Sequence, residues 1–82
     1  MLKGIIRGNI VSTRKQESLI GSKFMEVELI ENGNLTKKFI VAIDSVGAGI
    51  GETVLITTGS SARLALHNQC APADAVIVGI VD

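Results

Sequence analysis

The spacing of apolar side chains along the chain predicts strands over most of its length. Residues 22–31 alternate most clearly, with apolar side chains on one face and Glu26 and Glu28 on the other. A period of two is typical of a half-buried strand, so we expect both glutamates on a solvated face. The Asn-Gly pair within 31–34 is the strongest short signal of a hairpin.

The other segments predict four more strands and one short helix. The predicted strands are 2–12, 22–31, 35–43, 53–59 and 75–81. Gly4 and Gly8 predict bulges or bends within the first strand, and loops are predicted over 13–21, 44–52 and 70–74. The alanines and leucines of 60–69 favour a short helix. We therefore predict a mostly β protein, a small five-stranded OB-like β-barrel, partly open, with one short helix before the last strand and a single domain over 1–82.

Two of the predicted strands are apolar on both faces. The last strand places Val76, Val78 and Ile80 on one face and Ile77 and Val81 on the other, and the stretch 39–43 has the same character. Such strands must be covered on both sides. We expect other subunits to cover the outer face; the alternative is that the helix and loops of the same chain cover it.

The composition of the chain argues against some classes of binding partner. The formal net charge is zero and the only aromatic residues are Phe24 and Phe39, so neither a basic field nor a stacking platform attracts nucleic acid or a membrane. No apolar run approaches the ~20 residues that span a bilayer. OB barrels often bind single strands, so a nucleic-acid-binding module remains the alternative function. Cys70 is the only cysteine, which favours a reducing compartment such as the cytoplasm.

Three glycines alternate in "VGAGIGE" at residues 46–52, as in a loop that cradles phosphate. A dinucleotide fingerprint needs a helix after its glycines, whereas here a strand is predicted to follow, and Glu52 repels phosphate. The glycines are better explained by close approach of two backbones. A valine at Gly49 is expected to add bulk, to penalise a positive φ and to disrupt assembly before it disrupts the barrel.

The stretch "GSSAR" at 59–63 contains no convincing nucleophile. An esterase elbow ends in glycine, but Arg63 stands there, and His67 lies about two helical turns from Ser60. We interpret the stretch as a turn and a helix cap, and the protein as no enzyme. Arg63 is expected to pair with a carboxylate, within or between subunits. The candidate partners are Asp44, Glu52 and Asp74.

The sequence contains too few histidines and cysteines for a zinc site. His67 and Cys70 have a spacing compatible with two ligands, but structural zinc sites need four and catalytic ones three from the protein. No other histidine or cysteine exists in the sequence. We expect no metal and no other cofactor.

Two stretches, "AIDSVGAGIGETVLITTGSSAR" (42–63) and "PADAVIVGIVD" (72–82), resemble the EutN/CcmL family of pentameric vertex proteins of bacterial microcompartment shells. The opening "GIIRGNIVST" fits the same family. The resemblance implies an OB-like barrel that assembles into a ring of five with a narrow pore. It also implies a place at the vertices of a polyhedral shell in the bacterial cytoplasm, beside hexameric shell proteins.

A ring would also explain the glycines, because loops near its axis crowd against their symmetry copies. We expect nine residues at the subunit interface or the pore. They are Asp44, Gly47, Gly49, Gly51, Glu52, Gly59, Ser60, Ser61 and Arg63.

Overall fold

Five strands close into a barrel. The computed structural model describes residues 1–11, 15–59, 62, 65 and 74–82. The strands are β1 (Leu2–Ile10), β2 (Lys23–Glu31), β3 (Asn34–Asp44), β4 (Thr53–Thr58) and β5 (Ala75–Val81), with one 3-10 turn at Glu17–Leu19. They are ordered β1-β2-β3-β5-β4 around a closed barrel. The predicted five-stranded barrel is confirmed, and it is closed rather than partly open.

The pairing is antiparallel except at the closing seam. β3 and β5 run parallel and pair only through Ile43 with Val76 and Asp44 with Ile77. The predicted hairpin joins β2 to β3, and Asn32 and Gly33 at its tip both have positive φ, at 53° and 78°. Two such residues in a row define the tight turn that matches the twist of paired strands.

The predicted helix over 60–69 lies outside the described residues except for Ala62 and Ala65. The Ala62 N–H donates to the Gly59 carbonyl, and the Ala65 N–H donates to the Ala62 carbonyl. No helix in the described part of the chain is long and apolar enough to cross a membrane.

All five strands contribute to the barrel interior. Its buried residues are Ile6, Met25, Val27, Ala42, Ala48, Val54, Ile56, Ala75 and Ile77, with Ile40 and Ile80 packed against them. Removing this apolar area from water is the main favourable term in folding a domain of this size.

A second, smaller apolar cluster lies on the outer surface of the β3–β5 seam. Ile43, Val76 and Ala62 form it, and Leu19, Phe24 and Val78 pack against it. The chain therefore covers part of its own outer face, as one of the two alternatives held. Farther along β3, Phe39 and Val41 remain about half exposed.

A bulge changes the two faces of β5. Leu55 pairs with Gly79 and Ile56 with Ile77, so Val78 has no direct partner on β4. One extra residue shifts the alternation by one, and both Ile77 and Ile80 contact the interior cluster. The prediction that Ile80 shares a face with Val76 and Val78 was wrong for this reason.

The first strand also contains a bulge, next to one of the two glycines predicted to mark one. The β1–β2 register shifts between Ile6 and Gly8. Gly4 acts differently, because a Cβ there would lie 2.5 Å from Val27 Cγ1 and 2.7 Å from the Glu28 carbonyl oxygen. Gly4 is thus a point of close backbone approach between β1 and β2.

Candidate functional site

The glycine loop, residues 45–52, joins β3 to β4 and closes one end of the barrel. Ala48 at its centre is 2% exposed and belongs to the interior cluster. The loop therefore inserts a small side chain between two glycines, Gly47 and Gly49, into the open end of the barrel. A larger side chain at Ala48 would overpack this position.

The Asp44 carboxylate holds the first half of the loop. Its Oδ1 accepts the N–H groups of Val46 and Gly47 at 3.0 and 3.1 Å, and its Oδ2 accepts the Ala48 N–H at 3.0 Å. Lys23 Nζ lies 3.9 Å from Oδ2. Three charge-assisted hydrogen bonds from consecutive amides fix the loop where it leaves β3.

Glu52 holds the second half. Its Oε1 accepts the Gly49 N–H at 2.6 Å, and its backbone carbonyl accepts the Ile6 N–H at 3.0 Å. The Gly51 N–H donates in turn to the Ile6 carbonyl at 2.8 Å. The loop is thereby joined to β1 through the backbone.

These hydrogen bonds argue against phosphate binding by the glycine loop. The N–H groups of residues 46–49, the donors a phosphate would use, all point to carboxylates of the same chain. A bound phosphate would have to displace Asp44 and Glu52 and would be repelled by both. The glycines serve the fold of the loop.

The conformations of the three glycines differ. Gly47 and Gly51 have φ of +79° and +89°, a region that L side chains rarely adopt. Gly49 is not among the glycines with positive φ, and within the described part of the chain a Cβ there would meet only Glu52 Oε1, at 3.4 Å. The expectation of a positive φ at Gly49 was therefore wrong.

The outer side of the loop is apolar. Val46 and Ile50 are 40% and 62% exposed, although the loop buries Ala48 between them. Nothing in the hydrogen bonding of the loop requires an apolar residue at either position. They form a surface that is available for contact with another protein.

The predicted site residues fall into two groups. Asp44, Glu52 and the three glycines of the loop lie together, whereas Gly59 follows the opposite end of β4, roughly 20 Å away at strand spacing. Gly59 has φ of +68° and donates its N–H to the Asp74 carbonyl at 2.9 Å. Ser60, Ser61 and Arg63 lie outside the described residues, and the partner of Arg63 stays a prediction.

Sequence reasoning missed one buried carboxylate. Glu28 is 6% exposed; its Oε1 accepts from Arg7 Nε at 3.0 Å and its Oε2 from the Lys37 N–H at 3.1 Å. The predicted solvated face was wrong for Glu28, although Glu26 is exposed as expected. The only signal in the sequence was an arginine on the first predicted strand and a glutamate on the second, and their pairing depends on the β1–β2 register.

The sequence also contained a signal for the hydrogen bonds that fix the glycine loop. An aspartate that accepts N–H groups two and three residues ahead is the usual Asx arrangement, and Asp44 stands directly before the loop. Among the described residues, no group of three or more His, Cys, Asp or Glu side chains is placed to hold a metal ion.

The protein is therefore a small closed β-barrel. Ala48 plugs one end of it, and several apolar side chains lie on its outside. The family model described as "Ethanolamine utilisation protein EutN/carboxysome" matches residues 1–82. The chain belongs to this family, as the resemblance predicted.

Curated relatives share close to half of the sequence. The chain is 51% identical over 79 residues to the carboxysome shell vertex protein CcmL of a Nostoc species, covering 94% of the chain and 78% of the relative. It is 43% identical over 83 residues to the bacterial microcompartment shell vertex protein EutN of Salmonella typhimurium, covering all of the chain and 84% of the relative.

Solved structures agree with the fold. CcmL of Gloeobacter violaceus superimposes with a TM-score of 0.95 at 42% identity, over all of this chain and 86% of that one. A protein described as the GrpN pentameric microcompartment shell protein from Rhodospirillum rubrum gives 0.87 at 41% identity, over all of this chain and 93% of that one.

Proposed function

We propose that this protein is a structural shell protein that forms a cyclic pentamer and caps the vertices of a bacterial microcompartment. The observation that carries the proposal is 51% identity to a shell vertex protein over 94% of the chain. The likeness to a protein described as pentameric supports a ring of five copies. Five-fold rings would supply the curvature that a flat layer of hexamers lacks.

The structure supports assembly. Val46, Ile50, Phe39 and Val41 are 40–62% exposed, and contact with another subunit would remove their apolar side chains from water. The nine residues predicted at subunit contacts or the pore belong to this proposal. They are Asp44, Gly47, Gly49, Gly51, Glu52, Gly59, Ser60, Ser61 and Arg63.

The finer parts of the function are proposed with it. The protein works by shape and has no enzymatic activity, it meets hexameric shell proteins at the ring edge, and it acts within the shell in the bacterial cytoplasm. The proposed role needs neither a cofactor nor a membrane. The structural nature of the named relatives, all shell vertex proteins, supports this assignment.

The alternative, an OB-type module for single-stranded nucleic acid, has no support among these relatives. The zero net charge and the two aromatic residues argue against it. A fluorescent single-stranded oligonucleotide titrated with the protein at low salt tests it, and we expect no salt-dependent binding.

Native mass spectrometry of the purified chain tests the ring, and the expected species contains five chains. Co-expression with a hexamer-forming shell protein tests the vertex role. With the chain present, electron microscopy should show closed polyhedral shells, and without it open or vertex-lacking ones. A single-chain species at every protein concentration would contradict the proposal.

A further inference from the structure

The outer face of β3 carries an apolar stripe formed by Phe39 and Val41, which are 49% and 51% exposed. Their neighbours along the strand, Ile40 and Ala42, contact the barrel interior, so the alternation of β3 directs the stripe outward. A charged residue borders it, because Val41 pairs with the exposed Glu26 across to β2, whereas Glu28 opposite Phe39 is buried and paired with Arg7. An apolar centre with a charged rim is the usual anatomy of a protein interface.

A second outer face lies on β4 and β5, which contain no charged residue, and Lys3 of β1 pairs with Leu55 at its border. β4 reads TVLITT and β5 reads AVIVGIV, and these two strands pair along their length. Val54 and Ile56 contact the interior, so the residues between them point outward. We define the uncharged face by the cross-strand pairs Leu55 with Gly79 and Thr53 with Val81.

The uncharged face projects little at Gly79, beside which the Leu55 side chain lies. Gly79 has no side chain, and the nearest side-chain atom to its missing Cβ is Leu55 Cδ1, at 3.7 Å. Val81 beside it is 42% exposed. A ring such as that of Phe39 can lie flat over the glycine of a sheet. The chain thus carries one face with projecting apolar groups and another that is smooth and apolar.

Resting on the proposed function, we infer that these two faces meet in the ring: the β3 stripe of one copy packs on the uncharged face of the next copy. A cyclic ring needs two different faces on each subunit, and this chain has two on different strands of the barrel.

The proposed ring sets the area that the two faces must supply. A standard interface buries about 800 Å² per partner, so two of them occupy about a third of the 5163 Å² surface of the chain. The occupant of each face is a second copy, because each subunit of a cyclic ring meets two others.

Two substitutions test the inference. Val41→Lys breaks the β3 stripe, and its ammonium can pair with Glu26 across the strand, which leaves the folded subunit intact. Val81→Glu breaks the uncharged face. Val11→Lys is the matched control, because Val11 is 87% exposed and lies beyond the end of β1, on neither face.

Native mass spectrometry and size-exclusion chromatography should show the wild type and Val11→Lys as the same ring. Val41→Lys and Val81→Glu should each run as single folded chains. Mixing those two variants should restore one interface only, because each supplies the face that the other lacks. The expected product is a two-chain species and no ring.

Two results would overturn the inference while leaving the proposed function standing. One is a full ring formed by either variant, and the other is a mixture that remains as single chains beside an intact wild-type ring. A wild type that is itself a single chain would instead overturn the proposed function. If circular dichroism shows that Val41→Lys does not fold, Val41→Thr replaces it, and full retention of the ring by that variant at low protein concentration counts against the inference.

Discussion

Arg7 Nε lies 3.0 Å from Glu28 Oε1. The Glu28 carboxylate contacts both strands that flank β2, each at a position where the strand pairing is irregular. Arg7 occupies the bulge of β1. The other oxygen of Glu28 accepts the N–H of Lys37, which has φ of 59° where the β2–β3 register shifts. One buried carboxylate on the middle strand therefore satisfies donors from both neighbours.

Replacement of Glu28 by glutamine should destabilise the subunit. The carboxylate accepts through both oxygens, whereas an amide has one acceptor and would present its NH₂ group to one of the two donors. Because Arg7 and Lys37 are exposed, water can replace part of the lost interaction, and we expect a cost of about 0.5–1.5 kcal/mol. Urea denaturation of the purified protein measures this loss. Glu26→Gln is the control on the same face of β2, and an equal effect of the two changes would contradict the role given to Glu28.

Gly4→Ala should destabilise the barrel, and Gly8→Ala should not. A Cβ at Gly4 would lie 2.5 Å from Val27 Cγ1 and 2.7 Å from a backbone oxygen, whereas no atom of the described residues lies within 4 Å of a Cβ at Gly8. Forcing β1 and β2 apart costs about 1–3 kcal/mol. Thermal unfolding by circular dichroism compares the two variants, and a similar melting temperature for both would show that the strands separate freely at Gly4.

Asp44→Ala should free the first half of the glycine loop. The amides of Val46, Gly47 and Ala48 lose their acceptor, so their hydrogen exchange should accelerate well before that of the strands. Lys23→Ala is the matched control, because Lys23 is exposed and its Nζ lies 3.9 Å from the same carboxylate. Although the Asp44 side chain is buried, the Lys23 ammonium is exposed to solvent and should contribute about 0–1 kcal/mol, so exchange in the loop should not change. Unaltered exchange in Asp44→Ala would contradict the role of the carboxylate.

Gly49 separates assembly from folding. Alanine there meets only the end of the Glu52 side chain and needs no positive φ, so the isolated subunit should keep its stability to within a few tenths of a kcal/mol. Alanine at Gly51, with φ of +89°, should cost roughly 1–2 kcal/mol. If the loop lies against another subunit, Gly49→Ala weakens the ring and Gly49→Val weakens it further, as native mass spectrometry would report. A fully assembled Gly49→Val protein would show that the loop is not a close-contact element.

Much of the fold was predictable because its signals are local. The alternation in 22–31 and the Asn-Gly pair specify two strands and their turn without reference to the rest of the chain. The β-branched runs that became β4 and β5 are strands in the structure close to their predicted bounds. The family resemblance likewise depended on short stretches that the sequence displays directly.

The role of the candidate site residues at the subunit interface or the pore stays a prediction, and the structure adds how they are arranged within one subunit. Asp44 and Glu52 both hold amides of their own loop, which their positions in the sequence did not predict. Gly59 was grouped with the glycine loop, but β4 separates them. Distance along a chain does not reveal which end of a barrel a residue occupies.

The sequence by itself determined the strands, the hairpin and the apolar excess that requires a partner, because each depends on residues close together in the chain. Only the tertiary structure decided that Glu28 is buried, that Val78 shifts the faces of β5 and that Ala48 plugs the barrel. These features depend on the register between strands far apart in sequence. A shift of one residue there exchanges the inner and outer faces.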